Sequence, residues 1–312
     1  MNRIMPNTKT ILLLLAAIPA FCNQARGGDS LSVSGSAIAG LYPMGPASFA
    51  DTVLSYDPGA LGTGTGDEPE AAYMNARAAL GPPDASGETG FVSLGRGGSM
   101  VLGFTDNILI DGPGPDLAVT EIAPGAEAVH VWVSSDGQVF QRAGRITREE
   151  PFVDIAPVSR PDAGFTFVKL RDDMWQEQDN GPAPGADIDA VGALHTAILI
   201  RIPVRRLFHP GTMNLTDQAG ALLSAAADRI RSYPEAVIRI YAFTDDRVSY
   251  QYSMLHSQEW AGKVRDYFLN HESLSGRRFR AMGMGGKNPL VSNDTDAGRQ
   301  TNRRIEIWIS TD

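Results

Sequence analysis

Cysteine is almost absent from this sequence, because Cys22 is the only one among 312 residues. A single cysteine excludes an intramolecular disulfide bond. Long apolar runs are also scarce. The run from Ile11 to Phe21 is too short to cross a bilayer as a helix, and no later segment is longer and as apolar. We therefore expect no membrane-spanning segment in the mature chain.

Recognisable catalytic motifs are also missing from the sequence. There is no Gly-x-Ser-x-Gly motif, and the single cysteine precedes any plausible mature domain. The five histidines have no partners at the spacing of a metal site or a catalytic triad. The sequence therefore predicts a protein that is not an enzyme.

The first 25 residues have the pattern of a secretory signal peptide. Arg3 and Lys9 precede the apolar run, and small residues follow it. The position of Cys22 directly after this run raises the alternative of a lipoprotein. A lipoprotein signal requires a small residue before the cysteine, and that residue here is Phe21. We expect export with cleavage near residue 25, and we disfavour lipidation through Cys22.

Charge divides the chain into two parts. The whole chain has a net charge of −9, but residues 26–200 carry 9 Lys/Arg against 24 Asp/Glu, and residues 201–312 carry 16 against 12. The two parts therefore have net charges of −15 and +4, which indicates two domains with different partners. The basic excess is small and lacks interleaved aromatic residues, so nucleic acid is not an expected partner.

Residues 26–200 have the pattern of an all-β module. Short apolar and β-branched runs alternate with Gly, Pro and Asp turns, as in Met100 to Phe104, Ala128 to Val133 and Phe165 to Leu170. Many short strands at regular spacing predict a β-sandwich or jelly roll. The segments Gly81 to Asp84 and Phe104 to Asn107 also give this part a diffuse resemblance to a jelly-roll module of bacterial cell-envelope proteins.

Acidic residues are concentrated in two loops of this module. A Gly-Pro-rich turn carries several of them, and a second pair lies near the end of the module. Ca²⁺ prefers six to eight oxygen ligands, which such loops can supply. The alternative is that these are ordinary solvated turn residues. The candidate Ca²⁺ ligands are Asp106, Asn107, Asp111, Asp116, Asp187 and Asp189.

Residues 201–312 alternate between helical and strand periodicity. Apolar positions from Ala219 to Ile230 and from Ser253 to Asn270 predict two helices, while Ala236 to Ala242 and Arg304 to Ile309 predict strands. This order predicts an α/β sandwich with helices over a mixed sheet. We place the boundary between the two domains near residue 200.

Motifs in this second part occur in a characteristic order. Tyr241-Ala-Phe-Thr-Asp245 is followed by Gly283-Met-Gly285, by Pro289 and Asn293, and by Thr295 to Ile307 with its Asn-Arg-Arg sequence. This order resembles the OmpA-like peptidoglycan-binding domain over roughly the last third of the chain. The resemblance implies an α/β sandwich fold and binding of the diaminopimelate side chain of the peptidoglycan stem.

In that family, an Asp in the Thr-Asp loop and an Arg on the next helix hold the diaminopimelate. Asp245 matches the Asp and Thr244 precedes it, but the Arg position falls on Trp260. Trp260 could fill space, mark a pocket that has lost its ligand, or accept an ammonium on its ring face. Arg247 in the same loop could supply the missing guanidinium. The expected peptidoglycan-binding residues are therefore Thr244, Asp245, Arg247 and Trp260.

Taken together, these features predict an exported, non-enzymatic cell-envelope protein. We expect it in the periplasm, associated with the outer membrane or cell wall, with its OmpA-like domain on diaminopimelate-type peptidoglycan through Asp245. The alternative is an assembly subunit whose OmpA-like domain contacts an envelope protein, because Trp260 replaces the family Arg.

Overall fold

The computed structural model describes residues 41–59, 68–85, 89–122, 127–147, 149–160, 162–173 and 181–311. The predicted signal peptide and Cys22 lie outside these residues. In the described part of the chain, no helix is long and apolar enough to cross a membrane.

The first half of the chain forms antiparallel strands that alternate with turns. Two of these strands are only two residues long. Short 3-10 helices lie between the first two strands, at Ala71–Tyr73 and Ala76–Ala79. The strands are β1 (Thr52–Asp57), β2 (Val92–Ser93), β3 (Ser99–Gly103), β4 (Asn107–Leu109), β5 (Leu117–Glu121), β6 (Ala128–Ser134), β7 (Gln141–Thr147), β8 (Phe152–Val153), β9 (Phe167–Asp172) and β10 (Asp187–Ala193).

Nine of these strands form two sheets that share one core. The five-stranded sheet has the order β1-β3-β9-β6-β7, and the four-stranded sheet has the order β2-β10-β5-β8. Side chains alternate along β6: Val129, Val131 and Val133 point into the core, while His130 and Trp132 are half-buried on the opposite face. The two sheets therefore pack face to face as a sandwich, while the finer jelly-roll topology stays a prediction.

A third sheet, of mixed direction, forms the C-terminal half. It contains β11 (Thr196–Pro203), β12 (Val237–Phe243), β13 (Arg278–Gly285) and β14 (Arg304–Ser310) in the order β13-β12-β14-β11, and β4 adds an edge strand to β11. The boundary expected at residue 200 falls inside β11. Because β11 pairs with β14 from Ile198 to Pro203, this sheet starts at Thr196 and also takes a strand from the first half.

Four helices accompany this sheet, namely α1 (Val204–Leu207), α2 (Ala219–Arg231), α3 (Tyr250–His271) and α4 (Asp296–Asn302). Leu223 and Ile230 of α2 and Val264 and Phe268 of α3 join the sheet residues in one apolar core. Thr216 precedes α2 and is of a type that often caps a helix, but its hydroxyl donates to the carbonyl of Arg206. Ser249 caps α3 by accepting from the backbone N–H of Tyr252.

The opposite face of the same sheet contacts the first half of the chain. The Tyr241 hydroxyl donates to Asp162 Oδ1 at 2.9 Å, and Leu109 exchanges backbone hydrogen bonds with Phe165. Tyr241 and Trp308 stack edge to face, with ring centroids 4.7 Å apart. The helices and the β-sandwich therefore enclose the two faces of this sheet.

Candidate functional site

The loop that follows β12 begins where β12 and β13 separate. The Thr244 N–H donates to the carbonyl of Gly285 at 2.8 Å, and the Gly285 N–H donates to Ser257 Oγ on α3 at 3.0 Å. A side chain at Gly283 would place its Cβ 2.3 Å from the backbone nitrogen of Gln258. Glycine is therefore required for α3 to approach β13, and this close packing fixes the start of the loop.

Asp245 is the buried acidic group of this loop. The residue is 5% exposed, and its carboxylate accepts from Arg303 Nη1 at 2.7 Å and from Arg247 Nε at 3.4 Å. It also accepts from the Arg247 N–H at 3.2 Å, and Thr244 Oγ1 donates to the Asp245 carbonyl. A buried carboxylate is stable here because two guanidiniums and a backbone donor surround it.

Arg303 and Arg247 give this site its positive charge. Their side chains are 31% and 52% exposed, so each keeps N–H groups at the surface while contacting the Asp245 carboxylate. The Asn-Arg-Arg sequence motif includes Arg303, but the motif alone does not indicate that its partner is Asp245. Strand register could have revealed it: β12 and β14 pair Phe243 with Arg304, so the residues just beyond that pair face each other.

Trp260 belongs to the apolar core between the helices and the sheet. None of its contacts within the described residues is with Asp245. Trp260 is 7% exposed, stacks on Phe208 at 6.2 Å between ring centroids, and has His256 at 4.5 Å. Its Nε1–H has no hydrogen-bond partner within the described residues. The space-filling interpretation of Trp260 therefore accounts for its position, and Arg303 and Arg247 are the cations that meet Asp245.

The remaining motif residues hold the scaffold of the site. Asn302 accepts from the N–H groups of Leu290 and Val291 and donates to the Val291 carbonyl, which ties down the loop before α4. Arg304 is 4% exposed and donates to Glu306 Oε1 at 2.8 Å. These contacts are internal to the domain, so Asn302 and Arg304 serve the fold.

Glu306 is the centre of a buried ion-pair network. Arg201 Nε donates to it at 2.9 Å and Trp308 Nε1 at 3.0 Å, in addition to Arg304. Burial raises the pKa of Glu306, but the attraction and hydrogen bonds of Arg304 and Arg201 outweigh burial and lower its pKa. The carboxylate therefore stays ionised between two arginines.

The residues predicted to bind Ca²⁺ do not form one cluster. Among the described residues, one group of three acidic side chains has oxygens that all lie within 4.8 Å of one another, and it consists of Asp111, Asp116 and Asp154. Asp116 is fully buried and already accepts from the Gly112 N–H, the Ile155 N–H and His195 Nδ1 at 2.8–2.9 Å. These contacts explain Asp116 as a loop anchor, and calcium binding stays a prediction.

The other four predicted ligands occupy separate places. Asn107 Nδ2 donates to Thr196 Oγ1 at 3.0 Å, and Asp106 precedes it at the start of β4. Asp187 and Asp189 both lie on β10, separated by Ile188. The Oδ1 of Asp189 accepts from the N–H groups of Asp84 and Ala85 at 3.1 Å. The sequence places these residues near each other in pairs, but tertiary structure separates the pairs.

Asp189 yields a prediction about stability and pH. Burial raises the pKa of Asp189 to about 6, against the lowering effect of its two backbone hydrogen bonds. A carboxyl with a raised pKa stabilises the fold below its unfolded pKa and loses that contribution as pH rises through about 6.

We expect Asp189→Asn, whose amide oxygen can keep both hydrogen bonds, to raise the free energy of unfolding by on the order of 2–3 kcal/mol at pH 8. The gain should vanish near pH 4. Urea denaturation at both pH values measures it, with Asp228→Asn as the control because its side chain is 75% exposed. A gain of equal size at both pH values would contradict the prediction.

Exposed apolar side chains are concentrated next to the Asp245 loop. Val248, Tyr250, Tyr252 and Leu255 are 43–64% exposed and lie at the start of α3. Tyr252 stacks on His256, with ring centroids 5.5 Å apart. We call these four residues the apolar rim. Several large exposed apolar side chains beside a charged site are typical of a surface that contacts another molecule.

This arrangement defines the class of domain: a mixed sheet with helices on one face and a buried acidic loop at the end of its second strand. Residues 207–303 match the OmpA family. The C-terminal domain of this chain is therefore an OmpA-like domain.

Curated relatives agree with that assignment. The chain is 26% identical to outer membrane porin F of Pseudomonas aeruginosa over 159 residues, 50% of this chain and 45% of that protein. It is 27% identical to the probable lipoprotein YiaD of Escherichia coli over 113 residues, 36% of this chain and 51% of that protein. It is 33% identical to peptidoglycan-binding protein ArfA of Mycobacterium tuberculosis over 89 residues, 28% of this chain and 27% of that protein. The chain thus spans about half or less of the length of these relatives.

Proposed function

We propose that this chain is a non-enzymatic cell-envelope protein whose OmpA-like domain binds the peptide stem of peptidoglycan at Asp245. The observation that carries the proposal is the buried Asp245 carboxylate with Arg303 at 2.7 Å and Arg247 at 3.4 Å, inside a region that matches the OmpA family. The relative named as a peptidoglycan-binding protein supports the same ligand class.

The chemistry of the site suits the end of a diaminopimelate side chain. That group carries an ammonium and a carboxylate side by side. Asp245 can accept from the ammonium, while the outer N–H groups of Arg303 and Arg247 can donate to the carboxylate. Arg303 thereby takes the role that the family gives to the arginine at the position of Trp260.

The proposal also includes export and location. A cleaved signal peptide at residues 1–25 would deliver the protein to the periplasm, where it would lie at the cell wall or outer membrane. The curated relatives with outer-membrane names support this location.

Cosedimentation with diaminopimelate-type sacculi tests the proposal. We expect the wild-type chain to sediment with sacculi and Asp245→Asn to lose most of that binding, roughly tenfold or more, because the ammonium loses its charged acceptor. Arg303→Gln should lose a similar amount. Asp266→Asn is the matched control, since its 49% exposed carboxylate pairs with the neighbouring Arg265 at the surface. Equal sedimentation of wild type and Asp245→Asn would refute the assignment of this site.

A second candidate function is docking of an envelope protein. The apolar rim favours it, because a binder of a small zwitterion does not need four exposed apolar side chains next to its site. In this case Tyr250→Ser and Leu255→Ser would abolish assembly with the partner and leave binding to sacculi unchanged. If both substitutions weakened binding to sacculi instead, the rim would belong to the peptidoglycan site.

A further inference from the structure

The outer face of the five-stranded sheet carries a cluster of cations in an acidic half of the chain. Residues 26–200 have a net charge of −15, from 9 Lys/Arg and 24 Asp/Glu. Four of the nine cations nevertheless lie together on three neighbouring strands, β7, β6 and β9, around two rings. We call this set the cationic face: His130, Trp132, Arg142, Arg145, Lys169 and Arg171.

Strand register places these side chains in two adjacent rows. Arg171 pairs with His130, which pairs with Arg145, across the three strands. In the second row, Lys169 pairs with Trp132, which pairs with Arg142. Residues two apart on β6 and on β9 share a face. On β7, a register shift between the partners of Val131 and Trp132 brings Arg142 and Arg145 opposite Trp132 and His130, although they are three residues apart. Both rows therefore point away from the apolar core. The face extends about 10 Å across the three strands.

Two of the cations lie close to the rings. Lys169 Nζ lies 6.0 Å from the Trp132 ring centroid, and Arg142 Nη2 lies 2.9 Å from His130 Nδ1. That contact requires Nδ1 to accept, so His130 is neutral with its proton on Nε2. Burial and the nearby arginines lower the pKa of His130, against the effect of Asp173, which agrees with a neutral ring.

Asp173 offsets only part of this positive charge. Its carboxylate lies 3.2 Å from Arg145 Nε and 3.7 Å from His130 Nε2. Arg142 and Arg171 are exposed, and Arg145 is 47% exposed, so donors remain free to meet a ligand at the surface. Exposed cations on neighbouring strands repel each other, and an anionic ligand would relieve that repulsion.

The mixture of one indole ring and several cations suits an anionic sugar. An indole face packs against the apolar side of a sugar ring, and Arg donates two parallel hydrogen bonds to a carboxylate. A nucleic acid fits less well: its strands carry a charge every 3.4 Å, and a long strand would continue over the acidic remainder of this half. A short anionic segment avoids that repulsion.

We propose that the cationic face is a binding surface for a carboxylated oligosaccharide, with Trp132 under a sugar ring and Arg142, Arg145 and Arg171 on its carboxylates. This surface lies on the β-sandwich and is separate from the Asp245 loop. The proposal therefore does not depend on the proposed function of the OmpA-like domain.

Calorimetric titration of the full chain with a galacturonic acid hexasaccharide tests the proposal, with its methyl ester as the uncharged probe. We expect the acid to bind and the ester to bind roughly tenfold more weakly or not at all, because charged hydrogen bonds are lost. Trp132→Ala and the double variant Arg142→Gln with Arg145→Gln should each weaken binding of the acid about tenfold. Trp132→Phe should restore part of the loss, which separates ring stacking from a folding defect.

Two control arms complete the experiment. The double variant Arg77→Gln with Arg160→Gln removes the same charge elsewhere in this half and should leave binding unchanged. A six-nucleotide single-stranded DNA should bind more weakly than the hexasaccharide. No binding of the acid, equal binding of acid and ester, or tighter binding of the DNA would each overturn the proposal.

Discussion

Replacing Arg304 with methionine should lower the free energy of unfolding by about 3–5 kcal/mol. Arg304 is 4% exposed and donates to Glu306, to the Asn302 carbonyl at 3.3 Å and to the Asn288 carbonyl at 3.0 Å. Its loss leaves a buried carboxylate with one arginine instead of two, and it removes the donor that the Asn302 and Asn288 carbonyls share. Urea denaturation of the full chain, followed by circular dichroism, measures the effect.

The control for this prediction is Arg265→Met. Arg265 pairs with Asp266 at the surface, with side chains 42% and 49% exposed, so its removal should cost less than about 1 kcal/mol. A loss for Arg304→Met no larger than that of Arg265→Met would show that the buried network does not support the sheet.

The same network predicts acid sensitivity. The pKa of Glu306 is lower in the folded protein than in the unfolded chain. Its contribution to stability is therefore present above the unfolded pKa, about 4.3, and is lost as pH falls through the folded pKa. The difference between wild type and Arg304→Met should shrink below about pH 4. A constant difference down to pH 3 would contradict this account.

Trp260→Arg should destabilise the OmpA-like domain by about 3 kcal/mol or more and should not improve binding to sacculi. The substitution removes a ring that packs on Phe208 and His256 and places a guanidinium in an apolar core. Asp245 already has Arg303 and Arg247 as partners, so a third cation is not needed there. Urea denaturation and cosedimentation with sacculi measure the two effects.

Trp260→Phe is the matched variant. Phenylalanine keeps an aromatic ring for Phe208 and removes an indole N–H that has no hydrogen-bond partner among the described residues. Its cost should therefore stay below about 1.5 kcal/mol. If Trp260→Arg kept wild-type stability and bound sacculi more tightly, the cation at this position would be the working one and Arg303 would not.

The sequence predicts the elements of the OmpA-like domain well because their periodicity is strong and local. Ser253 to Asn270 becomes α3, and Ala236 to Ala242 becomes β12, each within a few residues. The edge strand β4 could not be predicted, because only three residues, Asn107–Leu109, pair with β11. Such a short strand forms through its partner and carries no periodic signal of its own.

The candidate site was predictable only in part. Motif order identifies Asp245, but its cation depends on which side chains meet across β12 and β14, and that is set by strand register. The Ca²⁺ prediction rests on closeness along the chain. The predicted ligands do not meet in the fold, because their side chains bond to different partners. Asp116 accepts from His195, whereas Asp189 accepts from the N–H groups of Asp84 and Ala85. The composition of a loop does not indicate which way its acidic side chains point in the fold.

We propose that Asp245 and Arg303 together recognise a zwitterionic diaminopimelate end. The most direct test is calorimetric titration of the full chain with a stem peptide that contains diaminopimelate and with the same peptide containing lysine, which lacks the side-chain carboxylate. We predict binding of the diaminopimelate peptide and binding of the lysine peptide roughly tenfold weaker or undetectable. In Arg303→Gln the difference between the two peptides should be much smaller, because only Arg247 then remains to meet the carboxylate. Equal affinity of the wild-type protein for both peptides, or binding of neither, would contradict the claim.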